Sequence, residues 1–145
     1  MPARLPCRIS MSVALLALPL LAGGCSSGID DNKAGLSCVD DSKECVDRRQ
    51  ATLQSMLADK DKAWVREPAS AQAHASGVRL FAFRTRKKEL SCEELAAGRR
   101  EADSAHSLRA GTEGLTPAQV ARAKMFAAEV SKELTVEMRS RRCKA

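Results

Sequence analysis

Six cysteines carry most of the chemistry this chain could do. Cys38, Cys45, Cys92 and Cys143 lie in its helix-rich part. An even number of thiols in a small domain of an oxidising compartment pairs into disulfides, two in this case. A zinc site wants a close C-x-x-C pair, and none occurs, so no metal is expected. Thiol-redox enzymes use the same short spacing, and Cys38 and Cys45 depart from it. The two histidines, His74 and His106, fall on different helical segments. Ser104 lies two residues before His106, where side chains on a helix diverge. Glu93 and Glu94 form a carboxylate pair, but their place just after Ser91 reads as helix capping. No glycine-rich phosphate loop or haem motif is present. These residues assemble no nucleophile with a base. The expectation is a non-enzymatic protein with no cofactor and no small-molecule substrate.

The fifth cysteine, Cys7, lies within the N-terminal segment, and the sixth, Cys25, closes it. Arg4 and Arg8 supply a positive start, and Met11 to Ala22 is an uncharged apolar run. That run is too short to span a bilayer, which takes roughly 20 residues, and suits a signal-peptide core. Leu21-Ala22-Gly23-Gly24-Cys25 follows. This stretch resembles the lipobox of bacterial lipoproteins, with Ala22 where leucine is commonest. The resemblance covers residues 1–25 only. It implies cleavage before Cys25, a diacylglyceryl thioether and an acylated amine on that residue, and anchoring to a membrane. Ser26 in place of Asp after the cysteine implies the outer membrane, facing the periplasm, over the inner membrane.

Removing residues 1–24 leaves a single-domain length. Residues 25–40 are rich in Ser, Gly and Asp and read as a lipidated flexible tether, with a helical domain over 41–145. One Trp, three Phe and no Tyr accompany abundant Ala, Arg, Lys, Glu, Leu and Met, a helical composition. The chain is basic, with 24 Lys and Arg against 18 Asp and Glu. Scarce aromatics, on which bases would stack, argue against a nucleic-acid partner.

Four helical segments follow. Asp41 caps the first, over 42–59, with Val46, Leu53, Met56 and Leu57 at helical spacing. The second runs over 68–87, with Pro68 in its first turn and Gly77 a possible break. Its residues 78–83 alternate as a strand would, but with no partner strand they read as helix. Ser91 and Glu94 make a capping box for the third, which stops before Gly111. Thr116, Pro117 and Gln119 open the fourth, whose stripe of Val120, Ala123, Ala127, Val130, Leu134 and Met138 is core-facing. The fold class is all-α: a small up-down bundle of about four helices stapled by two disulfides.

In a four-helix alternation Cys38, Cys45, Cys92 and Cys143 gather at one end. The weakly favoured pairing is Cys45–Cys143 with Cys38–Cys92; the rival is Cys38–Cys45 with Cys92–Cys143. Two basic runs, Arg84, Arg86, Lys87 and Lys88, then Arg139, Arg141, Arg142 and Lys144, fall at helix ends, where they complement the helix dipole. Beside the tether, that end could also rest on anionic headgroups. Trp64, in the loop over 60–67, is a candidate partner contact. The functional expectation is an envelope protein, lipid-anchored through Cys25, that binds an envelope protein or peptidoglycan or supports envelope integrity. The alternative is a periplasmic inhibitor or scavenger of a soluble factor such as a lysozyme or protease, presenting loop 60–67 or 111–114.

Overall fold

A computed structural model describes residues 33–144. The first 32 residues, with Cys25, the lipobox and most of the tether, lie outside the described part, as does Ala145. The longest element, α5, spans Pro117–Ser140. Its start is fixed as the sequence dictates: the Thr116 hydroxyl accepts from Gln119 N–H at 3.2 Å, and Gln119 Oε1 accepts from Thr116 N–H at 2.8 Å. One face buries the six-residue stripe from Val120 to Met138. Antiparallel to it lies α4, Cys92–His106, opened by the Ser91–Glu94 capping box. Small residues on the facing sides, Ala102 and Ala105 on α4 and Ala123 and Ala127 on α5, let the two helices pack closely.

The second expected helix is two. Ser70 caps α2, Ala71–Ser76, and Gly77 ends it with φ 74°, a left-handed conformation that suits glycine. From that glycine α3 departs, Val78–Arg86, so residues 78–83 are helical. Ahead of both lies α1, Lys43–Ala58, capped by Ser42 rather than Asp41: the Ser42 hydroxyl accepts from Cys45 N–H. Short 3-10 turns occupy Ala34–Ser37, Ala63–Arg66 and Thr112–Gly114. The described residues are therefore an all-α bundle of five helices with no strand.

Contacts along the chain give its course. Arg86 at the end of α3 donates to Asp59 O, just past the end of α1, so α1 and α3 finish at the same end. Lys87 pairs with Glu133, and Phe81 stacks on Phe126, so α5 runs in the same direction. Between α1 and α3 the chain climbs back through residues 59–70, and Gln72 at the far end meets Glu113 in the α4–α5 connection. The bundle thus makes five passes instead of four, and the additional one, over residues 59–70, is mostly loop.

That extra pass relocates the cysteines. Val39 O accepts from Gln119 and Arg122 at the start of α5, whereas Cys143 follows its end. A 24-residue helix is about 36 Å long, so the two ends are far apart. The favoured pairing, Cys45–Cys143 with Cys38–Cys92, is excluded by that distance. The disulfides are Cys38–Cys45 and Cys92–Cys143, with Cα separations of 5.3 and 5.4 Å. They sit at opposite ends, not together. Both basic runs do share the Cys92–Cys143 end, but the described chain begins elsewhere, at Lys33 beside Glu67.

Buried apolar residues fill two clusters. The main one gathers Met56, Trp64, Leu80, Phe83, Leu95 and Leu134; the smaller, at the α2 end, gathers Ala75, Leu108, Leu115, Val120 and Ala123. Gly98 on α4 is set against the main cluster: a Cβ there would meet Phe83 Cδ1 at 2.7 Å and Leu134 Cδ1 at 2.9 Å.

Two outcomes follow. Gly98→Ala, a change that favours a helix by about 1 kcal/mol in isolation, destabilises this protein by about 1–3 kcal/mol in urea unfolding, because the core has no room for the methyl. Replacing Cys92 and Cys143 by Ala costs about 4 kcal/mol, against about 2 kcal/mol for Cys38 and Cys45, since the first pair closes the longer loop. Non-reducing peptide mapping of the same samples reads the pairing directly.

Candidate functional site

Trp64 is not a surface contact. Its 3-10 turn carries it inward until 5% is exposed, its indole N–H donates to Met56 O at 3.1 Å, and its ring meets Phe83 edge-on with centroids 4.8 Å apart. Val65 is buried beside it. The middle of the loop over 60–67 is therefore packed down, while Lys60, Asp61, Ala63 and Arg66 remain exposed. Gly111 to Gly114, the other loop expected to project, is exposed but held by Glu113, which accepts from Gln72 N–H.

Packed against that loop is an ionic cluster unforeseen from the sequence. Arg79, on the strand-like stretch of α3, is 2% exposed. Its guanidinium grips Glu101 of α4 through Nε at 3.0 Å and Nη2 at 3.1 Å, and donates to the carbonyls of Trp64 and Glu67. His74 Nδ1 lies 3.0 Å from the same carboxylate. Burial alone pushes the Glu101 carboxyl up; the His74 hydrogen bond and the Arg79 charge more than offset it and hold it below the ordinary carboxylate range. Every oxygen of Glu101 is engaged, so the cluster locks elements together and leaves no free base. His106 is exposed and Ser104 with it, and the structure does not bring them to this cluster. Glu94 caps α4 and also pairs with Lys62 at 2.9 Å. Among the described residues no three His, Cys, Asp or Glu side chains converge on a point that could hold a metal ion.

A recess open to a ligand lies elsewhere. α1 and α5 flank the shorter α3, and between them opens a groove of about 460 Å³. Val46 and Leu53 form one wall, Phe126 and Ala123 the other, and Val78 and Phe81 the floor. Phe81 remains 44% exposed although it stacks on Phe126 with centroids 6.3 Å apart, and Val46 is also exposed. Arg49, Arg122 and Asp41 close one end. Arg122 grips Asp41 with two hydrogen bonds, and the two guanidiniums donate to the carbonyls of Cys38, Val39 and Asp40. Their charges are spent on the chain itself, which leaves the groove mainly apolar. An exposed patch of this kind is what binding sites on small proteins look like. The alternation of Val78, Leu80 and Ala82 with Arg79, Phe81 and Phe83 gave no signal for either feature, since on the helix Arg79 and Phe83 are buried and Phe81 is exposed.

The basic end is partly neutralised. Arg84 pairs with Glu129 and Glu133, Lys87 with Glu133, and Arg86 with Glu89. Arg141 donates to Leu90 O, which closes the last turn over the α3–α4 connection. Lys88, Arg139, Arg142 and Lys144 are exposed and make no ion pair among the described residues. Half of the eight predicted membrane-facing cations are thus committed within the fold.

Removing one partner of the buried pair leaves the other charge uncompensated. Glu101→Ala costs about 3–5 kcal/mol in chemical denaturation, and Arg79→Met combined with Glu101→Leu recovers much of that loss. Because the Glu101 carboxyl is held below its unfolded range, its contribution is present above that range and disappears as pH falls through the folded value. The acid limb of a stability–pH curve flattens in Glu101→Gln. Compared with protein-family models, curated proteins and solved structures, the chain matches none of them.

Proposed function

We propose that the chain is a lipid-anchored, non-enzymatic protein of the bacterial cell envelope, held through Cys25, which binds an apolar part of another envelope component in the groove between α1 and α5. The groove carries the binding half of this reading: it is open, apolar and lined by an exposed aromatic ring. Two disulfides that take all four cysteines of the described residues support an oxidising compartment. The lipobox-like Leu21 to Cys25 supports the anchor, and Ser26 the outer membrane. An apolar lining suits an envelope protein or lipid better than the polar glycan of peptidoglycan. The inhibitor reading rested on Trp64, which is buried, and on the loops over 60–67 and 111–114; the apolar groove favours the first reading over it.

Intact-mass analysis of the protein from envelope fractions tests the anchor. Cys25 is expected as the N-terminal residue bearing lipid, and Cys25→Ser is expected in the soluble fraction. An unmodified Cys25 within a chain cut elsewhere would refute the reading. Crosslinking in intact envelope tests the binding half: a discrete partner held by wild type and lost with Phe81→Glu is the expected result.

A further inference from the structure

We propose that the outward face of α5 is a pairing surface for a second copy of this chain, with the two helices antiparallel. The inference goes beyond the groove and leaves it open. A helix at the edge of a bundle buries one face and turns polar residues to water on the other. α5 departs from that pattern. Opposite its buried stripe stand Met125, 72% exposed, and Val136, 59% exposed, with Ala121 and Ala128 exposed beside them. Val46 and Phe81, the other large apolar side chains left exposed among the described residues, belong to the groove. At about 3.6 residues per turn, Met125, Glu129, Lys132 and Val136 fall within an arc of about 60° on α5.

The order of residues on that arc selects the occupant. Along the helix it runs apolar, acidic, basic, apolar. Laid antiparallel on a copy of itself, that order is its own complement. The two-fold axis passes midway between Glu129 and Lys132, and each residue meets the one equally far on the other side. Met125 then stands against Val136 of the second copy, and Glu129 against Lys132 of the second copy, and both contacts occur twice. A parallel pair would set Glu129 on Glu129 and Lys132 on Lys132. Charges beside an apolar seam fix orientation in this way. Both charges can pair. Lys132 is exposed and makes no ion pair among the described residues. Glu129 gives Oε1 to Arg84 at 3.0 Å, while Oε2 has no partner among the described residues and the side chain is 56% exposed. The same register brings Arg122 level with Arg139 of the second copy, but the two lie on opposite flanks of the arc and Asp41 holds Arg122. One helix face from each copy buries less than the roughly 1,200 Å² of a stable complex, so the pair is transient. A two-fold axis of this kind keeps each flank of α5 on its own side. The flanks that carry Phe126 therefore share one side of the dimer, and both grooves open there.

Photocrosslinking in cells that make the full chain tests the proposal. Met125 is replaced by a benzophenone amino acid, and two differently tagged copies are expressed together. The expected adduct carries both tags and joins position 125 of one copy to the peptide holding Val136 of the other. Its yield falls about fivefold or more in Glu129→Lys and in Lys132→Glu, at an unchanged amount of folded protein, because each change sets like charges together at both contacts. Glu129→Lys combined with Lys132→Glu restores the complement in reverse and recovers most of the yield. Glu129→Lys and the double variant both lose the Arg84 pair, so recovery in the double does not come from the fold. No adduct carrying both tags overturns the proposal, as does an adduct joining position 125 to position 125, or one formed only with a different protein. Equal yields in the single and double variants overturn it as well.

Discussion

One buried guanidinium organises this bundle. Arg79 joins α3 to α4 through Glu101, and through Glu101 to His74 of α2, while its remaining N–H groups hold the carbonyls of Trp64 and Glu67. A guanidinium in an apolar interior is costly unless its donors are met, and here the carboxylate and two backbone oxygens meet them. That demand pulls the loop over 59–70 inward and up the side of the bundle. The loop becomes a structural pass in its own right. Trp64 fills the space under it and closes against Phe83. The extra pass over 59–70 goes with that requirement, and with it the separation of Cys38–Cys45 from Cys92–Cys143.

Much of the fold was legible where local chemistry decides it. The two capping boxes at Ser91 and Thr116 appear with the expected partners, and the α5 stripe is buried residue for residue. The helical class and the four disulfide cysteines were equally readable. What was not legible is long-range. Gly77 was visible as a break, but only the contact of Arg79 with Trp64 and Glu67 shows that residues 59–70 run back along the bundle. One additional pass inverted the expected geometry, so thiols predicted to meet were placed at opposite ends. Nothing local marked Arg79 as buried, because the partner that makes its burial tolerable, Glu101, lies 22 positions away.

The candidate site was less readable for the same reason. Phe81 looked like one member of an alternating run, and neither Val46 nor Phe126 signalled that it would stand beside that ring. The groove exists because α3 is nine residues long and lies below two longer helices. Its apolar character depends further on Asp41, which draws Arg122 into a two-pronged pair at the rim. Without that pairing the rim would carry the uncompensated charge of Arg122.

The small Cys38–Cys45 ring also has a mechanical meaning. Tension applied to the chain ahead of Lys33 reaches the domain through the segment Ala34–Ser37, seated by the Gly35–Thr52 hydrogen bond and by the Arg49 contacts to the Cys38 and Asp40 carbonyls. Those non-covalent contacts can peel one after another. The ring then stops the peel, because its crosslink passes the load into the first turn of α1 across a covalent bond. Beyond it, α1 must be pulled from its packing as one body before the helices behind it feel any force. The domain is thus reinforced on the side from which a tether would drag it, and its far end, closed by Cys92–Cys143, stays out of the load path.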